Sequence, residues 1–295
     1  MTKVAAIIVT YNAMRRSWAD RCLQSLSAGS GVEVVPVVVD NGSTDGTRDY
    51  IPAHYPSAVW LPQEHNLGFG QANNVGIRYA LDNGFDACLL LNQDACLAAG
   101  ALEEIVRVAQ ADALYTPVHL NGDGTAFDCM FRLALLRHPD TYVDDLCLCN
   151  TLKATYSVGE ICAACWYLPA GVVRAVGGFN PIFFHYGEDN NYYQRLIYHG
   201  YDTRLVPRAR MMHDRNQYGD EAVYNHKLLR REALLVCCNI NSGLHQMLKG
   251  CLRAFRRYRP RHWLALAGEM CWCALHARAI CRSRRCEKSR GQTWL

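Results

Sequence analysis

Three apolar runs in this chain each stop at a polar cluster, and that repeated arrest most limits the folds open to it. Val4-Ala5-Ala6-Ile7-Ile8-Val9 gives way to Thr10-Tyr11-Asn12. The Val-rich run 32–39 gives way to Asp40-Asn41-Gly42-Ser43-Thr44-Asp45, and Leu89-Leu90-Leu91 to Asn92-Gln93-Asp94. Short continuous runs of Val, Ile and Leu are buried on both faces, as in a parallel sheet. Their polar ends then fall together at the carboxyl edge, where open α/β sheets hold ligands. Carboxylates at several strand ends, with Asn66-Leu67-Gly68-Phe69-Gly70 between them, point to a metal-bridged phosphorylated ligand.

Periodicity predicts strands over 4–10, 32–39, 58–61 and 87–91, with helices over 17–27, 44–53 and 69–81. Ser43-Thr44-Asp45 reads as a helix N-cap cluster and Gly84 as a helix stop. Alternating strand and helix predicts an α/β, Rossmann-like, mostly parallel sheet flanked by helices, with a C-terminal helical appendage. Residues 121–159 read as irregular connection, and further helices are expected over 188–199 and 221–238. The organisation expected is one part over 1–95, a second over 96–242 and a basic tail over 243–295.

The chain has 295 residues, half of them hydrophobic, so a large core is within reach. No secretory signal is read at the start, and fifteen cysteines, an odd number, are expected to be reduced thiols in a cytosol. Cys162-Ala163-Ala164-Cys165 has no second pair at zinc spacing and reads as packing. The net charge of +4 conceals an asymmetry. Residues 249–290 carry twelve Lys or Arg against Glu269 and Glu287, leaving the remainder of the chain at −6. An acidic body with a basic tail argues against a nucleic-acid-binding fold.

In that tail Met247, Leu248, Cys251, Leu252, Phe255 and Tyr258 recur at helical spacing, and Trp263, Leu266, Met270 and Leu275 repeat the pattern after Pro260. Two amphipathic helices are expected. They would lie on an anionic membrane surface, or else pack on the main body with their arginines solvated.

Taken in order, Val-Thr-Tyr-Asn, Asp-Asn-Gly-Ser-Thr-Asp, Asn-x-Gly-Phe, Asn-x-Asp, Gly-Gly-Phe and Gly-Glu-Asp over residues 3–215 resemble the family 2 glycosyltransferases with a GT-A fold, in particular their rhamnosyltransferase-like branch. The resemblance implies an inverting transfer of a sugar from a nucleotide diphosphate donor to an acceptor hydroxyl. It implies donor contacts from Thr10, Tyr11, Asn12, Asp40, Asn41, Asn66, Gly68, Phe69, Asn73, Asn92 and Asp94, with Asp40 reading the base. Helix capping is the other reading of Asp40 and of Asp45. Asp94, with His213, would hold Mg2+ or Mn2+ on the donor phosphates, although a lone His is commonly an ordinary buried side chain. Asn92 replaces the family's first Asp, which loosens the expected metal dependence.

Asp189 would be the general base, with one pKa of the adjacent Glu188–Asp189 pair raised by burial and like charge; acidic capping of a helix is the alternative. Asn191 stands where the family often has another Asp, and Asn180 ends the Gly-Gly-Phe element. Trp166 and His185 would face the acceptor, with core packing an equal reading for Trp166. The acceptor expected is a lipid-linked saccharide of bacterial surface polysaccharide synthesis, at the cytoplasmic face of the cell membrane. L-rhamnose from a thymidine diphosphate donor is the leading sugar, ahead of galactofuranose or another hexose. A dinucleotide-dependent oxidoreductase is disfavoured, because Thr10-Tyr11-Asn12-Ala13 stands where a Gly-x-Gly-x-x-Gly would follow the first strand. A catalytically silent sugar-nucleotide-binding scaffold and a sugar nucleotidyltransferase are the remaining alternatives.

Overall fold

The computed structural model describes residues 1–14, 17–26, 31–137, 141–215, 221–291 and 293–295. The chain begins β1 (Thr2–Thr10), α1 (Trp18–Gln24), β2 (Val32–Asp40), α2 (Thr47–His54), β3 (Val59–Pro62), α3 (Phe69–Asp82) and β4 (Ala87–Leu91). It continues β5 (Ala95–Leu97), α4 (Ala101–Val108), β6 (Ala113–Asn121), α5 (Cys129–Arg137), α6 (Tyr142–Cys147), β7 (Tyr156–Ser157), β8 (Cys165–Pro169) and α7 (Ala170–Val176). It ends α8 (Glu188–Tyr198), β9 (Asp202–His213), α9 (Glu221–Cys238), α10 (Leu244–Arg257), a 3-10 turn at Pro260–His262, α11 (Trp263–Leu275) and α12 (Ala277–Lys288).

All nine described strands join one sheet, in the order β3-β2-β1-β4-β8-β6-β9-β5, with β7 on β9. The first four are mutually parallel, as their apolar runs imply. Beyond β4 the sheet becomes mixed, because β8 runs antiparallel to both β4 and β6 while β9 runs parallel to β6. Side chains of β1 alternate between two buried layers. Val4, Ala6 and Ile8 pack under α1, α2 and α4, whereas Ala5 and Ile7 pack under α3, α7 and α8. Neither face is open to water.

Four sequence expectations need correction. The second helix starts at Thr47 rather than at residue 44, because Ser43 and Thr44 are held in a turn by Asn12. The first spans Trp18–Gln24, shorter than expected, and its expected last position, Ser27, lies outside the described residues. Residues 121–159 are not merely irregular. They form α5, α6 and β7 around their own apolar cluster of Phe131, Leu135, Tyr142, Tyr156 and Val158.

The tail holds three α-helices, not two, and it packs on the body. Cys238 of α9, Cys273 of α11 and Ile280 of α12 share a cluster with Phe183. Thr293 accepts a hydrogen bond from Gly178 N–H through its carbonyl, 2.8 Å, and Leu295 packs on the α3–α7 side of the core. No single described helix is long and apolar enough to cross a membrane. Pro260–Leu275 and Ala277–Lys288 meet the length and composition requirement only as a pair bent by 72°.

Candidate active site

Parallel pairing of Thr10 with Asp40 and of Ile7 with Leu90 brings the ends of β2, β1 and β4 to one edge of the sheet. Side chains there replace the backbone ladder. The Gln93 amide accepts from Tyr11 N–H at 2.9 Å and donates to the Tyr11 carbonyl at 3.2 Å. The Asn12 side-chain oxygen accepts from Thr44 N–H at 2.8 Å, and the Asn12 N–H donates to the Ser43 hydroxyl at 2.9 Å. Asn12 and Gln93 thus hold three chain segments in register, a role the sequence did not announce for Gln93.

Asp40 is fully buried. Its carboxylate accepts from Arg48 Nε at 2.9 Å, from Ser43 N–H at 3.2 Å and from the Thr10 hydroxyl at 3.3 Å. These bonds tie Asp40 to the turn at Ser43 and to Arg48, and the N-cap of α2 is Gly46. As folded, Arg48 of α2 covers the carboxylate expected to meet a base. Asn41 and Asn66 clasp one another at 3.1 Å and take the N–H groups of Leu67 and Gly68, both at 2.8 Å. Gly68, at φ 83°, carries no side chain because a Cβ would run into the carbonyl of Phe184. The loop before α3 is therefore pressed against the segment that leads into α8. Phe69 opens α3, and Asn73 is buried, donating to the Phe69 carbonyl at 2.9 Å. Tyr11 and Phe184 stay exposed at this edge.

Asp94 follows β4, and the short strand β5 pairs antiparallel with β9 so that Ala95 lies opposite His213. The Asp94 carboxylate then stands 3.4 Å from His213 Nε2, and His213 Nδ1 is 3.6 Å from Asp128. Burial opposes charge on His213, but Asp128 and Asp94 outweigh it and raise its pKa. Asp128 is itself buried. It accepts from Arg215 Nε at 2.9 Å and from the N–H groups of Met130 and Phe131, contacts that overcome its burial and hold its pKa well below the usual carboxylate range. Arg215 also reaches the Cys162 sulfur at 3.3 Å. Asp128 and Arg215 were not found from sequence, since Asp128 lies in the stretch read as irregular.

Glu188 and Asp189 open α8 after Gly187. Glu188 is buried, and burial followed by the charge of Asp189 pushes its pKa up to about 8. Burial also raises Asp189, against the pull of Arg231, the Asn190 N–H at 2.8 Å and a backbone contact at Ala163. Arg231 of α9 fixes this end of α8 with two bonds to the Asn190 amide oxygen, 2.9 and 2.6 Å. Burial within its loop, then Lys227, lowers the pKa of His185 to about 4, although the residue keeps an exposed edge and its ring lies tilted against Tyr186, centroids 4.1 Å apart.

Asp94, His213, Asp128, Arg215, Cys162 and, through Ala163, Asp189 form one run of contacts. Asp40 stands at the same edge two strands from β4, about 10 Å away, with its carboxylate turned inward. Trp166 lies elsewhere. It is buried among Phe179 and Tyr192, ring centroids 6.0 and 5.6 Å away, so the acceptor-platform expectation is replaced by core packing. Asn180 also points away from the edge, donating to Ser283 and Glu287 at 2.7 Å each, and Asn191 lies against Glu287. A carboxylate at either position would face another carboxylate.

The donor set of Asp94 oxygen and His213 nitrogen fits a divalent ion of the Mg2+ or Mn2+ kind, with the second histidine nitrogen oriented by a carboxylate as metal-bound imidazoles usually are. Among the described residues no group of three or more His, Cys, Asp or Glu side chains could hold a metal. Two protein ligands would thus leave most coordination positions to phosphate and water. Asn92 has a buried amide oxygen without a partner among the described residues, beside this pair in sequence.

Residues 5–133 match the family described as glycosyl transferase family 2. Over 242 residues the chain is 27% identical to the N-acetylglucosaminyl-diphospho-decaprenol L-rhamnosyltransferase of Mycobacterium tuberculosis, covering 72% of this chain and 76% of that one. Among solved structures it is similar to Staphylococcus aureus TarS 1-349 (TM-score 0.57, 13% identity, 96% of this chain and 89% of that chain). It is also similar to the mannosyltransferase PcManGT of Pyrobaculum calidifontis in complex with GDP-Man and Mn2+ (0.58, 16%, 96% and 84%). GalNAc-T7 with UDP, GalNAc and Mn2+ matches at 0.59 and 14% over 80% of this chain, which spans only 48% of that one. The fold is that of the GT-A glycosyltransferases, and the resemblance read from the motif order stands.

Proposed function

We propose that this chain, with its GT-A fold and family 2 glycosyltransferase sequence, transfers a sugar with inversion from a nucleotide diphosphate donor to a hydroxyl of a lipid-linked saccharide. The observation that carries the reading is the convergence of Asp94, His213 and Asp189 through one run of contacts at the carboxyl edge of the sheet. The relative acting on an N-acetylglucosaminyl-diphospho-decaprenol supports the acceptor class and makes L-rhamnose the leading sugar.

The loop 66–70 and the N-terminus of α3 lie at the edge where a diphosphate would bind. Asp94 and His213 would hold Mg2+ or Mn2+, which would withdraw charge from the leaving diphosphate as a Lewis acid. Asp189 is the base. Its raised pKa matches it better than an ordinary carboxylate to an acceptor hydroxyl, whose oxygen attacks C1 as the bond from C1 to the diphosphate breaks. Burial of Glu188, which keeps it largely protonated at neutral pH, spares Asp189 a second adjacent negative charge. Nothing in this arrangement demands a covalent sugar–protein intermediate.

The basic, leucine-bearing face of α10 supports a peripheral place on an anionic cytoplasmic membrane surface. Leu244, Leu248 and Leu252 are exposed there beside Lys249, Arg253 and Arg256. The test is transfer from a panel of nucleotide sugars to N-acetylglucosaminyl-diphospho-polyprenol, with anomeric configuration read by NMR. Retention of configuration, or transfer by Asp189→Asn at the wild-type rate, would refute the reading.

A further inference from the structure

The bend between α11 and α12 encloses a cavity of about 390 Å³ against α9 and α10. Leu244, Met247, Met270, Cys273, Ala274 and Ile280 are among its lining residues, and Arg284 is the one charged group. Arg284 is occupied elsewhere, donating to the carbonyls of Cys237, Asn239 and Ser242. The remaining surface is hydrocarbon and sulfur, deformable and without hydrogen-bonding demands. Its volume is in the range of ordinary ligand pockets. The walls are not sealed, since Leu244, Ala274, Ala277 and Cys281 remain exposed.

Two relationships say what fits. The cavity adjoins the catalytic edge along a single helix: Arg231 of α9 holds Asn190 beside Asp189, and Cys237 at the cavity wall lies six residues further on, about 9 Å along the axis. Outside, one flank of α12 carries Arg278, Arg282 and Arg285, all exposed and without an ion-pair partner among the described residues. An apolar slot with arginines on its α12 flank, walled by the helix that also braces α8 beside Asp189, suits an amphiphile with an anionic head and a flexible hydrocarbon tail.

We propose that this cavity binds the first isoprenoid units of the acceptor's lipid chain, so that the tail helices measure the acceptor and deliver its sugar to Asp189. The proposal rests on the lipid-linked acceptor reading for its occupant. The slot discriminates chain from no chain by burying methylene groups, and leaves the chemistry at C1 untouched.

The test uses the full chain, with a benzophenone-tagged farnesyl diphosphate as photoprobe and two acceptors that share a sugar-diphosphate head but carry either a methyl group or a fifteen-carbon isoprenoid. Crosslinks are expected in 244–251 and 270–284. Ala274→Trp, which fills the slot, and Leu244→Glu, at an exposed wall position, should each raise KM for the long acceptor about tenfold, the loss of about two methylene groups' burial. Neither should change kcat, nor KM for the short acceptor. Crosslinks elsewhere, equal effects on both acceptors, no effect on either, or closure of the slot by a second copy of the chain would overturn the proposal. If no nucleotide sugar supports transfer while the probe still labels the slot, the transferase reading fails and the chain site stands.

Discussion

The carboxylate of Glu287 lies 3.7 Å from the guanidinium of Arg195, and neither side chain has any exposure to solvent. Arg195 also donates to the carbonyls of Val176 and Gly178, and Glu287 accepts from Asn180. The pair joins α12 of the tail to α8, whose first turn holds Asp189. Removing one partner leaves the other charge buried and alone, a cost of about 3–5 kcal/mol. Glu287→Ala should therefore lower the unfolding free energy by that order in urea titration. Deletion after Ser242 should give insoluble protein, not a soluble domain with weaker liposome binding.

Asp189→Asn should keep the fold and reduce kcat by about 10²–10⁴, the range for a lost general base. Wild-type activity should fall with acid through a pKa above the ordinary Asp value, since burial raises Asp189. A kcat–pH profile whose acid limb sits at an unperturbed carboxylate value would contradict the assignment.

Glu188 predicts a stability signature of its own. Its folded pKa, about 8, lies above its unfolded value, so the folded state holds the proton more tightly. That contribution is complete below the unfolded pKa and is lost as pH rises towards 8. Glu188→Gln imitates the protonated form. Its unfolding free energy should decline less between pH 5 and 9 than that of wild type, by at least about 1.4 kcal/mol, the equivalent of one pKa unit.

Mn2+ with a nucleoside diphosphate should raise the melting temperature of wild type, because ligands of the native state stabilise it by mass action. Asp94→Asn and His213→Ala should abolish the metal-dependent part. Asp128→Asn, which leaves both ligands but loosens His213 and Arg215, should weaken Mn2+ affinity by about 10–100-fold in EPR titration. Equal affinity in all four proteins would exclude this site.

Gly68→Ala should push the loop 66–70 off the Phe184 carbonyl, raising donor KM more than it changes stability. Donor titration of the variant checks it, and unchanged binding would mean that the two loops need not touch.

The first four strands were legible because each is a continuous apolar run, and strand 87–91 was placed to the residue. The order of β8, β6 and β9 was not, since strands of mixed direction leave no mark in local periodicity. Asp128 escaped for a related reason: its partner His213 is 85 positions away, and nothing near Asp128 in sequence suggests a buried carboxylate. Trp166 shows the reverse error, since an aromatic residue beside a motif looks available until Phe179 and Tyr192 close around it. In the tail, the helical period was readable but its partner was not. Glu269 and Glu287 counted in sequence only as the two acids of a basic tail, and they are the buried partners of Arg230 and Arg195.

Asn74, on the third helix, bonds to the carbonyls of Phe179 and Trp294. A nascent chain can pair β1 to β4 early, but the Asn74 side chain cannot make its second bond until residue 294 has been added. The catalytic edge, complete in sequence by His213, is therefore synthesised some eighty residues before the last contact that braces its third helix.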